Sequence, residues 1–278
     1  MTTPTPDPTP AAPAPSNTLR TVLLIGGSIV LVIVLAVVAL QVSLRLNRTD
    51  ASDTVSVSES FDSIEIISSA ADVTVEYDDV DDAVVEFEQG DSLRSVRFEH
   101  EVRSGVLEIE IRDRGWFPWD WSFGGEGSEL TVTLPESLAS TPVGLSVDST
   151  AGNIVVEGEF GDVDVATTAG NLELTGGATA LTLESTAGNV EVLDYELEGD
   201  LRSESTAGNG TFDLTAVPSS VRISSTAGNI DFTVPTGSYR VETDVAAGAV
   251  SSQLSSDADA SSVFSFETTA GNIDLRAR

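Results

Sequence analysis

From residue 64 onward the chain alternates apolar and polar residues in short runs with a period of two. Ile64-Glu-Ile66, Val73-Thr-Val-Glu-Tyr77, Val84-Val-Glu-Phe87, Val96-Arg-Phe98, Val106-Leu-Glu-Ile-Glu-Ile111 and Leu130-Thr-Val-Thr-Leu-Pro135 all read this way. Successive side chains of a strand point to opposite faces, so the pattern predicts strands buried on one face. No soluble helix stands out. From Ser149 to the end, one phrase punctuates the alternation: Ser/Thr-Thr-Ala-Gly-Asn, followed by apolar-polar-apolar. Its copies are Ser149 to Asn153, Thr167 to Asn171, Ser185 to Asn189, Ser205 to Asn209, Ser225 to Asn229, a worn Ala246-Ala247-Gly248-Ala249, and Thr268 to Asn272. Their glycines are spaced 18, 18, 20, 20, 20 and 23 residues apart. A fixed period near 20 marks a solenoid, whose units bury their apolar faces only by stacking on neighbours.

One copy shows what the unit must do. In Leu181-Thr-Leu-Glu-Ser185-Thr-Ala-Gly188-Asn189-Val190-Glu-Val192, Leu181, Leu183 and Ser185 share one strand face, and Val190 and Val192 share a face of the next. The intervening residues must turn the chain so that both faces look into one core. Gly suits a corner that needs positive φ, and Asn tolerates the left-handed region while bonding nearby backbone. The predicted fold is therefore all-β, a parallel β-solenoid of ~18–20-residue repeats with two strands and two corners each. The structural corners are Gly152, Asn153, Gly170, Asn171, Gly188, Asn189, Gly208, Asn209, Gly228, Asn229, Gly271 and Asn272. Stacking turns each position into a column, with Ser149, Thr167, Ser185, Ser205 and Ser225 facing inward beside the Asn column. Both columns are expected to satisfy polar groups from coil to coil, as stacked Asn does in cross-β assemblies.

The N-terminal fifth differs. Residues 1–19 are mostly Pro, Thr and Ala, a tail that cannot pack a core. Residues 20–44 read as a transmembrane helix: Thr21 to Leu44 carries no charge and is long enough to span the hydrocarbon layer. A cleaved signal peptide would have a shorter apolar stretch behind a basic start and a small-x-small site. Residues 45–59 read as an acidic linker, 60–135 as the N-terminal β region of the solenoid, elaborated by hairpins, and 136–278 as the regular repeats. Ser68-Ser-Ala-Ala-Asp72-Val73 resembles a degenerate copy of the repeat phrase. Arg20 on one side of the apolar stretch and Arg45 with Arg48 on the other favour a cytoplasmic C-terminus by charge count. Long domains translocate largely regardless of that count, so the C-terminal domain is expected outside.

Composition narrows the function classes. All 13 basic residues are Arg, against 45 Asp and Glu, for a net charge of −32. Such a charge repels phosphate backbones, so no nucleic-acid partner is expected. There is no Cys, hence no disulfide, thiolate metal site or Cys nucleophile, and His100 is the sole His. No catalytic residue, cofactor or metal is expected, and the chain is read as not an enzyme. Stacked outward charges, Arg202, Arg222 and Arg240 beside Glu184, Glu204 and Glu242, and Glu173 over Glu191, are expected as solvated cross-strand salt bridges rather than Ca²⁺ sites. The Thr column beside the corners does not offer the flat strand face of an ice-binding array. One aromatic cluster stands apart: Arg114-Gly-Trp116-Phe117-Pro-Trp119-Asp-Trp121-Ser-Phe123 holds all three tryptophans of the chain. Trp116, Phe117, Trp119, Trp121 and Phe123 form a candidate contact loop, or a lid over the open end of the solenoid.

The repeated Ser-Thr-Ala-Gly-Asn-(Ile/Val/Leu)-x-(Val/Leu/Phe), behind one apolar N-terminal stretch and the Pro-ended run Leu130–Pro135, resembles the bacterial "putative adhesin" β-strand-repeat family of envelope proteins. The likeness covers about residues 60–278. Gly210, in place of the apolar residue after Asn209, and Ala249, in place of Asn, depart from it. The family's core module is a domain of unknown function, and it offers no catalytic residues to carry over. The resemblance implies an extracytoplasmic β-solenoid tethered to the cell membrane by a single pass, an adhesin-like binding or structural module with an envelope glycan or surface protein as partner. A polysaccharide-active β-helix enzyme and an envelope-stress sensor are the alternatives.

Overall fold

The alternating runs become strands, and stacking makes their pairing. The structure is a computed structural model and describes residues 52–90, 96–113 and 127–278. The expected tail, membrane helix and aromatic loop lie outside the described residues, as do residues 45–51 of the linker. Among the described residues no helix is long and apolar enough to cross a membrane.

In chain order the strands are β1 Ser52–Val57, β2 Ser63–Ser68, β3 Ala71–Asp78, β4 Ala83–Glu88, β5 Val96–Arg103, β6 Val106–Asp113, β7 Ser128–Pro135, β8 Gly144–Ala151, β9 Ile154–Ala169 and β10 Leu172–Ala187. They continue with β11 Val190–Leu197, β12 Asp200–Ala207, β13 Gly210–Leu214, β14 Ser220–Ala227, β15 Ile230–Val234, β16 Ser238–Ala247, β17 Val250–Ser252, β18 Ser255–Ser256, β19 Val263–Ala270 and β20 Ile273–Ala277. One 3-10 turn, Glu136–Ser140, follows Pro135. β1 falls inside the stretch read as linker: Val57 packs into the core beside β4.

Two parallel ladders enclose one core. The first wall, preceding each Gly-Asn corner, runs β6, β2, β8, the second half of β9, the second half of β10, β12, β14, β19, β16. The second wall, following each corner, runs β7, β3, the first halves of β9 and β10, β11, β13, β15, β20, β17. Along each strand the buried positions alternate with exposed ones; Leu181 and Leu183 face Val190 and Val192 across the core, all at most 1 % exposed. Each such side chain contributes about 1.5–3 kcal/mol by leaving water.

The order of the coils corrects the simple winding expected from the spacing. The last coil, β19–β20, is intercalated between β14–β15 and β16–β17, which precede it in sequence. The first coil, β2–β3, is likewise tucked beneath β6–β7. Arg222 therefore lies beside Arg202 and Ser265, and Arg240 beside Val263, so the three arginines do not form one column. At the N-terminal end three antiparallel pairings close the stack: the reversed strands β5 and β4 pair with β6 and β7, and β1, running with the stack again, pairs with β4. Phe87 of β4 and Phe98 of β5 stack across the two walls at 5.3 Å between centroids.

The change of spacing from 18 to 20 also has a location. Thr175 pairs with Leu193 but Gly176 pairs with Tyr195, so Asp194 is an inserted residue, held at φ +47°. Ala178 pairs with Leu197 and Leu181 with Leu201, which places the second inserted residue before β12.

Candidate functional site

Three features arise from the repeat: the corners, the acidic groove beside them, and two tyrosines, one half-buried and one buried, at the opposite corner.

The corner glycines stack carbonyl to α-carbon. Gly170, Gly188, Gly208, Gly228, Gly271 and Gly248 all have φ between +135° and +157°. A Cβ on Gly188 would lie 1.9 Å from the Gly170 carbonyl oxygen, and the same clash recurs up the column. Only glycine allows both the backbone angle and the approach. Beside it runs an amide ladder. The Asn153 side-chain oxygen accepts from the Asn171 N–H at 3.1 Å, and Asn171, Asn189, Asn209, Asn229 and Asn272 each accept from the next coil at 2.9–3.0 Å. The ladder starts at Asp72, whose carboxylate accepts from Asn153 N–H at 2.6 Å and from its Nδ2 at 3.2 Å. It ends at the Ala249 N–H, which donates to the Asn272 side-chain oxygen. The worn copy is thus the outermost coil, where no further coil needs an acceptor.

The inward Ser/Thr column behaves differently from expectation. Ser149, Thr167, Ser185 and Ser225 are buried, while Ser205 is half-buried. The hydroxyls of Thr167, Ser185, Ser205 and Ser225 find no hydrogen-bond partner. Parallel strands lie about 4.8 Å apart, beyond the reach of one hydroxyl to the next, whereas an Asn side chain spans the gap to a backbone N–H.

On the outer surface of the first wall, Asp148, Glu184 and Glu204 line a shallow groove of about 350 Å³ with Thr168, Thr186, Thr206 and Thr226. Glu184 stands directly over Glu204, and Glu173 over Glu191 on the second wall. Ion pairs run mostly along a strand rather than across coils: Arg202 with Glu204, Arg97 with Glu99, Arg103 with Glu101, Arg276 with Asp274. The C-terminal arginines add ties across coils, Arg276 to Asp231 at 3.1 Å and Arg278 to Asp194 at 2.6 Å. Among the described residues no group of three or more His, Asp or Glu is placed to hold a metal ion.

At the second corner, Gly158 and Gly176 lie between Tyr77 and Tyr195; the Tyr77 ring occupies the space a Gly158 Cβ would need. Both hydroxyls are buried without a partner. Burial, and then the Glu159 charge, push the Tyr77 hydroxyl up to about 12 and raise Tyr195 as well. Burial and then Glu196 raise the Glu159 carboxyl above the ordinary carboxylate range. No sequence pattern marks this cluster, because it depends on which coils are adjacent. His100, on β5, stacks on Phe98 and faces a cavity of about 620 Å³ at the N-terminal end, shared with Asp53, Glu101 and Glu108. The candidate contact residues Trp116, Phe117, Trp119, Trp121 and Phe123 lie outside the described residues; they connect β6 to β7, the outermost N-terminal coil.

Residues 61–277 match the family described as Toastrack DUF4097. Among solved structures, a protein from Bacteroides fragilis described as a "putative adhesin" is 13 % identical, with 82 % of this chain and 98 % of that chain covered and a TM-score of 0.47. One from Parabacteroides distasonis with the same description is 11 % identical over 82 % of this chain and 98 % of that one, with a TM-score of 0.48. A second Parabacteroides distasonis protein, described as a "putative lipid binding protein", is 11 % identical over 82 % and 97 %, with a TM-score of 0.44. No curated protein matches the chain.

Proposed function

The chain belongs to the Toastrack DUF4097 family, and from that membership we propose that it is a non-catalytic, adhesin-like module of the cell envelope, tethered by residues 20–44 and carrying a rigid β-solenoid outside the membrane. The observation that carries this reading is the unbroken corner ladder. From Asp72 to Ala249 every coil is tied to the next through glycine contact, a hydrogen bond to the corner Asp or Asn side chain and two backbone ladders. Such a stack holds its shape and presents extended walls of side chains. That geometry suits display and contact rather than the convergence of acid, base and nucleophile on one reacting atom. Its partners in this reading are an envelope glycan or a surface protein, and its acidity suits a partner with exposed cationic groups.

Protease added to intact spheroplasts tests the placement. The expected result is loss of the C-terminal domain with a small membrane fragment left behind. Full protection of residues 52–278 would put the solenoid in the cytoplasm and end the envelope reading.

A further inference from the structure

The C-terminal end of the stack presents an open strand edge. Along β16 the backbone groups alternate in direction, and those of Arg240, Glu242 and Asp244 serve β19; the Arg240 N–H donates to the Ser262 carbonyl at 3.0 Å. Those of Tyr239, Val241, Thr243 and Val245 therefore point away from the stack. Tyr239 is covered, since its carbonyl accepts from the Asp257 N–H at 2.8 Å where β18 lies alongside. Past that point no strand lies against Val241, Thr243 and Val245 among the described residues.

The side chains around this edge have a definite pattern. Val241 and Val245 are half-buried, and Val250 on the facing strand is 44 % exposed, the inner row that a further coil would cover. On the outer row Glu242 meets Arg240 only at 3.8 Å, and Asp244 has no ion-pair partner among the described residues.

We propose that this edge receives an extended segment of a partner protein, added as a strand, with Lys or Arg at alternate positions and apolar residues between them. The apolar residues would lie over Val241, Val245 and Val250, and the basic ones opposite Glu242 and Asp244. A second copy of this chain does not fit. An antiparallel pair of β16 edges that used all three open residues would centre on Thr243 and set Glu242 against Asp244 twice. A further coil of the same repeat does not fit either, because Ala249 offers no side-chain acceptor to continue the amide ladder. The opposite end is less suited: the outer row of β5 satisfies its own charges, Arg97 with Glu99 and Arg103 with Glu101. The proposal goes beyond the envelope placement and does not depend on it.

The test is fluorescence anisotropy with the purified full chain in detergent and a labelled Val-Lys-Val-Lys-Val-Lys-Val peptide. The controls are a peptide of the same composition with its lysines together, and the same alternating peptide N-methylated on alternate backbone nitrogens. Thr243→Pro removes an outward N–H and no bond within the stack, since proline is tolerated on edges of that kind. The alternating peptide should bind, and both control peptides should bind about tenfold more weakly or worse. Thr243→Pro should abolish binding while leaving the circular dichroism unchanged. Glu242→Gln with Asp244→Asn should weaken it about fivefold. If Thr243→Pro fails to fold, the N-methylated peptide decides alone. Equal binding of alternating and blocked peptides, or full binding of the N-methylated one, would overturn the proposal. So would cross-linking of two copies through residue 243.

Discussion

Gly188 occupies a backbone angle that side chains avoid, at φ +139°, with the Gly170 carbonyl where its Cβ would be. A β-branched residue there must strain the corner and push two coils apart. Gly188→Val should cost more than about 1 kcal/mol, at or above the usual range for backbone strain at such angles. Chemical denaturation checks this, and an unchanged midpoint would remove the corner assignment. Glu159 is a residue of the opposite kind, harmful when charged. Its folded carboxyl is raised, first by burial and then by Glu196, so the folded state holds a proton that the unfolded state has released. Stability from this group is therefore present below the ordinary carboxylate value of 4.5 and is lost as pH rises through the raised folded value. Glu159→Gln should raise the melting temperature at pH 7, and the gain should vanish at pH values below the ordinary carboxylate range. A gain of equal size at every pH would mean that charge is not the cause.

Within a coil, what each element needs depends on its place in the stack. An inner corner must pass an acceptor to its neighbour: the Asn189 side chain serves the Asn209 N–H at 3.0 Å. Asn189→Ala should cost about 1 kcal/mol. The outermost corner serves nothing, so Ala249→Asn should stay within about 0.5 kcal/mol of the parent. Paired thermal melts of the two variants read the difference, and equal losses would contradict the ladder's direction. This dependence also explains how far the sequence could be read. The period-two runs and the Gly and Asn columns were legible because every copy repeats the same local chemistry. Coil order was not, since near-identical pentads carry no label for their neighbour; Ala249 alone marked an end. Hairpins were expected over the N-terminal β region, but which strands reverse was hidden, because the runs of β4 and β5 alternate like all the others. Of the candidate sites, the corner residues and the pairs Glu173 with Glu191 and Glu184 with Glu204 could be placed from spacing, whereas Glu242 could not, because the intercalated last coil sets it beside Ser265. The cluster of Tyr77, Tyr195 and Glu159 needed the register, with Asp194 inserted, before the two rings could be set around Gly158 and Gly176.

Taken whole, the molecule stacks like charges: Glu173 over Glu191, Glu184 over Glu204, in a chain of net charge −32. Salt shortens the reach of that repulsion, from about 30 Å at 0.01 M to about 3 Å at 1 M. Melting temperature should therefore rise with added NaCl, and a fall would show that ion pairs outweigh repulsion. Rigidity and display both depend on the stack having the order seen here, with the last coil inside. Because the chain has no cysteine, paired substitutions can report that order directly. Ser224 lies beside Glu267, and Glu267 beside Asp244, so Ser224 and Asp244 are two strands apart, about 9.6 Å. A disulfide needs α-carbons within about 7 Å. Under mild oxidation, Ser224→Cys with Glu267→Cys should form an intramolecular disulfide, and Ser224→Cys with Asp244→Cys should not. The reverse outcome would show that the coils wind in sequence order and that the last coil is the outermost one.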